Sequence, residues 1–469
     1  DVTDTQVTVI ALYPGRAAEE VEKQVTLPLE VALSGLPSSI RVFSHTQFGL
    51  SFTVITYDDK AEVNLVRQQV NERLRGVDLP TGVEANIAPN ATPVGEVMRY
   101  RLRGDGLSTT ELRSLQDWVV ERHLRQVPGV ADVVAMGGFI KQYEVQPDLD
   151  KLKAYKLSHQ QLLDALARGN ANAGGSYVAQ GAQQFSIRGI GLLRDADDIG
   201  RIVVGSRGST PILIRDVASV VVGAVPRLGT VGQDGDDDVV TGIVIMRKGE
   251  NPSVVLKQVK EKIADLNAKT LPPGVQVVPF YDRTWLMEKT LFTVFKNLVE
   301  GALLVALVLY LFLSNVRASL AVVVIIPLSL LATFMGLKIL GVPANLLSLG
   351  AMDFGIIVDG AVIVIENIMH RLAERGEGMN EKERRTLITE ATNEVGRPTL
   401  FSMLIIIAAH IPIFALQRHE GRIFQPMALS VTSALIGSLI FSLTLVPLIA
   451  FWVLRKGLPH QDNRLVSFC

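Results

Sequence analysis

Three carboxylates occur within one otherwise apolar stretch, LLSLGAMDFGIIVDGAVIVIENIM, which runs from Leu346 to Met369. They are Asp353, Asp359 and Glu366, and the stretch is long enough to cross a bilayer as a helix. A charged side chain at the bilayer centre costs roughly 2.5–3.5 kcal/mol on insertion scales, so acids inside a membrane usually serve ion or proton movement. The pattern therefore predicts that these three acids carry protons.

Helical geometry sets the arrangement of the three acids. Asp359 and Glu366 are seven residues apart, which places them on one face about 10 Å apart, while Asp353 lies about 9 Å on the other side, rotated by about 120°. Asp359 is then nearest the bilayer centre. Low dielectric disfavours the charged form of a carboxylate, so such a group can take up and release protons. Small residues around it allow neighbouring helices to pack closely: Gly350, Gly355, Gly360 and Ala361.

Each flanking acid also has a simpler explanation. Glu366 could lie near the membrane surface and pair with His370 or Arg371, which follow it at helical spacing. Asp353 could be a polar packing group beside a water-filled cavity. Within the apolar spans no Lys or Arg is an obvious midplane counter-charge for Asp359. The sequence therefore predicts that its counter-charge lies in a part of the protein outside this chain.

The remaining candidate groups predict little chemistry. His410 could be a second proton carrier or a cation ligand, but a hydrogen-bonded packing role near the membrane surface explains it as well, and Glu300 is interfacial in the same way. The acidic run at Asp234 and 236–238 lacks the spacing of a calcium-binding EF-hand, so we interpret it as a hairpin turn. Because there is no HxH, HExxH, CxxC or P-loop motif, we assign no metal ligands, no cofactor and no enzymatic activity.

Hydropathy divides the chain near residue 290. Residues 291–456 predict an all-α bundle of five transmembrane helices, at about 297–313, 319–337, 346–369, 399–416 and 428–454. The segment after the third span is rich in basic residues, which marks the cytoplasmic side and places residues 1–290 outside the cytoplasm. These basic residues are Arg371, Arg375, Lys382, Arg384, Arg385 and Arg397.

Bulk composition excludes some other classes. A net charge of -1 without a basic tract argues against nucleic-acid binding. The single cysteine, Cys469, excludes an intrachain disulfide and a zinc finger.

The first 290 residues predict an α+β fold. Residues 1–91 give the order βαββαβ, the split ferredoxin-like pattern. Its elements are predicted at Val7–Leu12, Ala17–Ser34, Ile40–Gln47, Leu50–Tyr57, Lys60–Gly76 and Glu84–Pro89. The pattern partly repeats in 92–146 and 227–283, around an insertion at about 147–226. A Gly/Asn-rich segment of this insertion, residues 169–181, is interpreted either as a docking tip or as a flexible turn.

The segment DFGIIVDGAVIVIEN (353–367) resembles the resistance-nodulation-division transporters, and within them the cobalt–zinc–cadmium type of the heavy-metal efflux branch. The residue after the central aspartate is Gly360, where drug-exporting relatives have a second aspartate. Supporting segments are YPGRAAEEVEKQVTLPLE (13–30), LFLSNVRASL (311–320) and GRIFQPMA (421–428). The resemblance covers essentially the whole chain as the N-terminal half of such a pump.

The resemblance implies a function and an assembly. It implies a bacterial inner-membrane proton antiporter that exports divalent ions such as zinc, cobalt, cadmium or nickel, with Asp359 as the central relay acid and Asp353 and Glu366 beside it. It also implies a homotrimer with a periplasmic adaptor and an outer-membrane channel, periplasmic porter subdomains (1–91; 92–146 with 227–283) and a docking insertion. A first membrane helix would precede the chain and a second half would follow it. The alternatives are a hydrophobe-exporting pump of the same superfamily and a non-transporting assembly or sensor protein.

Overall fold

The computed structural model describes residues 2–227, 229–313, 315–342, 354–375 and 379–454. The chain divides into two units, and each is treated separately below. One unit combines residues 1–90 with 283–469, and the other is Ala91–Asp282.

The first unit begins with a four-stranded antiparallel sheet in the order β2-β3-β1-β4. The strands are β1 (Thr5–Leu12), β2 (Ser39–Gln47), β3 (Leu50–Tyr57) and β4 (Ala85–Ile87). The helices are α1 (Ala18–Val21), a π-helical turn (Glu22–Thr26), α2 (Leu27–Leu33) and α3 (Val63–Leu74). Alternation in β1 buries Val7, Val9 and Ala11 against helix residues such as Leu29 and Val70, which forms the core of this sheet.

The second unit contains a sheet with the corresponding order, β14-β5-β13-β6. Its strands are β5 (Ala91–Gly104), β6 (Val130–Met136), β13 (Val240–Arg247) and β14 (Val275–Asp282). Its helices are α4 (Thr109–Leu115), α5 (Glu121–Arg125) and α10 (Pro252–Asp265), with π-helical turns at Gln116–Val120 and Leu266–Thr270. In both units the turn before a strand carries a glycine at φ +85°, which L side chains rarely adopt: Gly82, Gly129 and Gly274.

A long insertion separates β6 from β13. Its stem is the antiparallel pair β7 (Lys141–Pro147) and β12 (Ala218–Ala224). It further holds α6 (Leu149–Ala154), α7 (His159–Gly169), β8 (Ala173–Gln180), β9 (Gln183–Gly189), α8 (Ala196–Gly200), β10 (Val203–Arg207), β11 (Thr210–Leu213) and α9 (Ile214–Val217). The Gly/Asn-rich segment leads into the β8–β9 hairpin, in which every side chain of β9 is exposed.

The rest of the first unit is helical. The helices are α11 (Arg283–Leu313), α12 (Val316–Val323), α13 (Ile325–Ile339), α14 (Phe354–Arg375), α15 (Glu381–Ala409), a 3-10 turn (Ile411–Ala415) and α16 (Arg418–Val453). Among the described residues, four stretches are long and apolar enough to span a membrane: Arg283–Phe312, Val316–Ile339, Glu381–Ala415 and Arg418–Val453. They extend beyond the predicted spans because hydropathy marks only the part of a helix that suits lipid.

The five membrane helices predicted from the sequence are thus not all recovered. Residues 346–353 of the expected third span lie outside the described residues. The described remainder, α14, is a helix, but it carries Asp359, Glu366 and Arg371 within a short distance and is not among the four apolar stretches. The part of the chain that the structure describes therefore supports four apolar spans and a charged α14 packed with them.

Candidate functional site

Helix α14 has two contrasting faces. One face is buried in the helical core, with Val364, Ile365 and Ile368 fully enclosed. Asp359 and Glu366 lie on the opposite, exposed face. The seven-residue spacing therefore places both acids on one side of a continuous helix, as the sequence predicts.

The exposed face of α14 gives its acids no partner in the described part of the chain. Neither Asp359 nor Glu366 has a hydrogen bond or an ion pair to a described residue. The large side chains between and beside them are also open, with Ile356 40% and Ile363 37% exposed. Asp353, the third predicted acid, lies outside the described residues. Among the described residues, the face is thus an apolar surface interrupted by two carboxylates without a partner.

Gly360 fixes the buried side of α14 next to Asp359. A Cβ atom at this position would lie 2.9 Å from Met403 Cε and 3.1 Å from Thr399 Cγ2 on α15, and 3.5 Å from Ser442 Oγ on α16. Three helices therefore pack closely at Gly360, and a methyl group there would require Met403 and Thr399 to shift. The predicted close packing at small residues is observed here and at the fully buried Ala361, but Gly355 is exposed, and Gly350 lies outside the described residues.

Small residues on α16, three of them serines, complete this contact. Ser430, Ala434, Ser438 and Ser442 recur at every fourth position and are all fully buried. Ser438 donates a hydrogen bond to the carbonyl oxygen of Ile357 on α14. Ser442 Oγ is buried without a hydrogen-bond partner among the described residues. Sequence reasoning missed this seam, although small residues four apart in an apolar span are a known signal of helix contact.

The opposite end of α14 is held to α15 by polar contacts. Arg371 Nη2 lies 2.8 and 2.9 Å from the two carboxylate oxygens of Glu394. Asn367 Nδ2 donates to the carbonyl oxygen of Ala391 at 2.8 Å. His370 lies 3.7 Å from Glu374. The alternative in which Glu366 pairs with His370 or Arg371 is therefore not observed.

The other polar residues singled out in the sequence have local partners. His410 Nδ1 lies 2.8 Å from the carbonyl oxygen of Ile406, as in a packing role at a helix end. Glu300 lies 3.6 Å from Lys296 in an exposed pair. The acidic run forms a turn closed by a bridge between Gln233 and Asp236. Its carboxylates reach arginines, with Asp236 2.5 Å from Arg101 and Asp238 2.8 Å from Arg227.

Within the described ranges, no group of three or more His, Cys, Asp or Glu side chains could hold a metal ion. In the described part of the chain, the candidate site therefore consists of the two acids on the exposed face of α14.

Comparison with known proteins identifies the family. The model of the AcrB/AcrD/AcrF family matches residues 1–468. The chain belongs to this family. The cobalt-zinc-cadmium resistance protein CzcA of Cupriavidus metallidurans is 40% identical over 99% of this chain and 45% of its own length. Protein HelA of Legionella pneumophila is 41% identical over 100% of this chain and 46% of its own length.

A solved structure agrees with these matches. The X-ray crystal structure of a heavy metal efflux pump, crystal form I, has a TM-score of 0.85 and 41% identity, over 100% of this chain and 47% of that chain. The resemblance to the heavy-metal efflux branch of the resistance-nodulation-division transporters is thereby confirmed. The chain spans less than half the length of the relatives it matches.

Proposed function

We propose that this chain is part of a pump that exports divalent heavy-metal ions in exchange for protons. The observation that carries the proposal is the open face of α14, where Asp359 and Glu366 have no partner among the described residues. The opposite face packs closely against α15 and α16 at Gly360. No described residue holds the carboxylate of Asp359 in place, so it is free to meet a group from outside the described part of the chain.

Asp359 is the central proton carrier in this proposal. It takes up a proton from the external side, and this releases it from a counter-charge that lies outside this chain. In the proposed cycle, Asp353 and Glu366 pass protons to and from Asp359. When Asp359 loses its charge, the exposed face of α14 becomes less polar and favours a different environment. The helix α14 therefore shifts. Because α14 is joined to α16 at Ser438 and packed against α15 at Gly360, these helices shift together.

The proposed setting is a bacterial inner membrane with residues 1–290 in the periplasm. Residues 1–91 serve as one porter subdomain, and residues 92–146 with 227–283 serve as the other. Residues 147–226 serve as the docking part. A homotrimer works with a periplasmic adaptor and an outer-membrane channel. The fold agrees with this topology in one respect: the start of α16, on the predicted external side, contacts the segment before β1. The names of the relatives as efflux and resistance proteins support the transport role.

The proposed substrates are zinc, cobalt, cadmium or nickel ions, which travel as cargo rather than as a resident cofactor. The name of the CzcA relative supports this choice. The absence of a second acid at Gly360 supports it over export of hydrophobic molecules.

Ion flux in proteoliposomes tests the proposal. The whole protein that carries this sequence is reconstituted under an imposed pH gradient, with each of the four ions supplied in turn. We expect gradient-dependent flux of at least one ion, reduced at least about a hundredfold by Asp359→Asn. Lys23→Gln, which removes an exposed ion pair of the first sheet unit, is the control and is expected to leave flux unchanged. Flux of hydrophobic dyes without any metal flux would instead favour a drug pump.

A further inference from the structure

Five charged or titratable side chains join the start of α16 to the segment before β1 and to the loop after β3. We name this group the clasp: Asp4, Asp59, Arg418, His419 and Arg422. Asp4, whose side chain is only 8% exposed, lies 2.9 Å from Arg418 Nη2, 3.5 Å from His419 Nε2 and 3.5 Å from Arg422 Nη1. Three groups from one helix turn thus converge on a single carboxylate.

Backbone groups extend the clasp. Asp59, in the loop after β3, accepts a hydrogen bond from the backbone N–H of Arg418 at 3.0 Å and pairs with Arg422. Arg422 also donates to the carbonyl oxygen of Thr3, and His419 Nδ1 lies 2.8 Å from the carbonyl oxygen of Val2. The first turn of α16 is therefore fixed to two separate segments of the sheet unit.

Arg418 adopts a backbone conformation that supports a specific role. Its φ is +55°, in the left-handed region that residues with a Cβ rarely adopt. Such a conformation persists only where the surroundings determine it. Here Arg418 contributes its N–H to Asp59 and its guanidinium to Asp4. Ion pairs at partly buried sites add little net stability, so a set this large is better explained by the position that it fixes.

The start and the middle of α16 contact two different elements of the first unit. At the clasp end, Asp4 directly precedes β1, which lies between β3 and β4 in the sheet. About 24 Å along the helix from Arg422, Ser438 donates a hydrogen bond to the carbonyl oxygen of Ile357 on α14, two residues before Asp359. The helix thus connects the candidate proton site with the centre of the first sheet.

Pro426 lies between these two contacts and is buried. It has no N–H for the carbonyl oxygen of Arg422, and proline inside a helix favours a kink. A helix that can bend at Pro426 passes its displacement to β1 only if the turn before the bend is held. The clasp holds that turn.

We propose that the clasp is the joint through which movement of α14 and α16 displaces the β1–β4 sheet of the first unit. Arg422 is the positioning residue of this joint. This inference rests on the proposed proton-driven cycle. Arg422 touches neither proton nor cargo; it acts by keeping the start of α16 and β1 together.

Hydrogen exchange tests the joint without any metal. The amides of Thr5–Leu12 are compared in the whole protein with Asp359 and with Asp359→Asn, which imitates the protonated state. We expect Asp359→Asn to change their exchange rates, and to have no effect on them once Arg422→Gln is also present. An equal response in both backgrounds, or no response in either, would overturn the proposal. This readout stands even if none of the four metals is transported.

Flux then separates coupling from folding. We expect Arg422→Gln to reduce gradient-driven metal flux about tenfold, with trimer content and unfolding midpoint near those of Lys23→Gln. Arg422→Lys, which keeps the charge, is expected to restore much of the flux. Full transport by Arg422→Gln would refute the role of the clasp, whereas absence of flux in the unmodified protein would refute only the proposed function.

Discussion

Asp4 and Asp359 are both acids of the first unit, but their surroundings are opposite. Asp4 is nearly enclosed and faces three cationic or titratable side chains of α16. Asp359 is exposed on α14 and has no polar partner among the described residues. An acid that holds two segments together cannot change its charge without loosening them. An acid on an open face can, and this difference separates a structural carboxylate from a candidate proton carrier.

The same contrast exists between the two sides of α14. Its closed side packs against Met403 and Thr399 at Gly360, while its open side exposes Asp359 one residue earlier in the sequence. A tightly packed face fixes the rotation of the helix, so the open face is presented in one defined direction. Gly360 therefore provides the close packing, and its neighbour Asp359 provides the acid that has no polar partner among the described residues.

The largest expected difference in the free energy of unfolding is between Asp4→Asn and Asp359→Asn. Asp4→Asn should lower the free energy of unfolding by about 2–3 kcal/mol, because it leaves partly buried cations without their carboxylate. Asp359→Asn should change the free energy of unfolding by less than about 0.5 kcal/mol, since it removes no contact with a described residue. Denaturant unfolding in detergent measures both. Equal destabilisation by the two substitutions would break the comparison.

Glycine substitutions probe the closed side of α14. Gly360→Ala should destabilise by about 1–2 kcal/mol, because the new methyl group meets Met403 and Thr399 closer than van der Waals distance. Gly396→Ala on α15 is the matched control. Its Cβ would lie 3.7 Å from Leu443, so replacing a helical glycine should stabilise by about 0.5–1 kcal/mol. The opposite signs are measured by thermal unfolding, and a stabilising Gly360→Ala would show that the three helices are not tightly packed there.

Local pattern was enough to predict several features. The strands and helices of residues 1–90 follow from alternation and amphipathic spacing, and their observed ends differ from the predicted ones by a few residues. The common face of Asp359 and Glu366 follows from helix geometry alone, because both acids lie on one continuous helix. Each of these features depends on residues close in sequence.

Contacts between distant segments were not predictable. Asp4 and Arg418 are separated by 414 positions, and no periodicity in the sequence indicates that they meet. Likewise, the hydrogen bond from Ser438 to Ile357 depends on how two helices cross. The role of Asp353 stays a prediction, as does the presence of a fifth apolar span, because residues 343–353 lie outside the described part of the chain. Tertiary packing, which single-sequence patterns do not encode, determines the ion pair of Asp4 with Arg418 and the hydrogen bond of Ser438 with Ile357.

The serine seam of α16 sharpens the comparison at a smaller scale. Ser438→Ala should cost about 1 kcal/mol, since it removes a buried hydrogen bond to α14. Ser442→Ala should be neutral or slightly stabilising, because its hydroxyl is buried without a partner among the described residues. The two variants have the same chemistry and the same helix, so their difference in unfolding free energy isolates the hydrogen bond. Equal effects would contradict the assigned contact.

The smallest effect is expected at Glu111, a paired acid of the second unit. Its carboxylate accepts hydrogen bonds from the backbone N–H and the hydroxyl of Ser108, both at 2.8 Å, and these bonds lower its pKa. A carboxylate whose pKa is lower in the folded state stabilises the fold at pH values above its unfolded-state pKa. This contribution is lost as the pH falls through the folded-state pKa. We therefore expect Glu111→Gln to speed hydrogen exchange in Thr109–Leu115 at neutral pH.

That difference should fade in acid, where Glu111 is protonated in the unmodified protein as well. The same acidification should leave the effect of Ser108→Ala partly in place, because the Ser108 hydroxyl also accepts from the backbone N–H of Glu111. A Glu111→Gln effect that is independent of pH would mean that the carboxylate charge does not stabilise the start of α4. Glu111 would then no longer be an example of an acid whose charge is tied to structure, in contrast to Asp359.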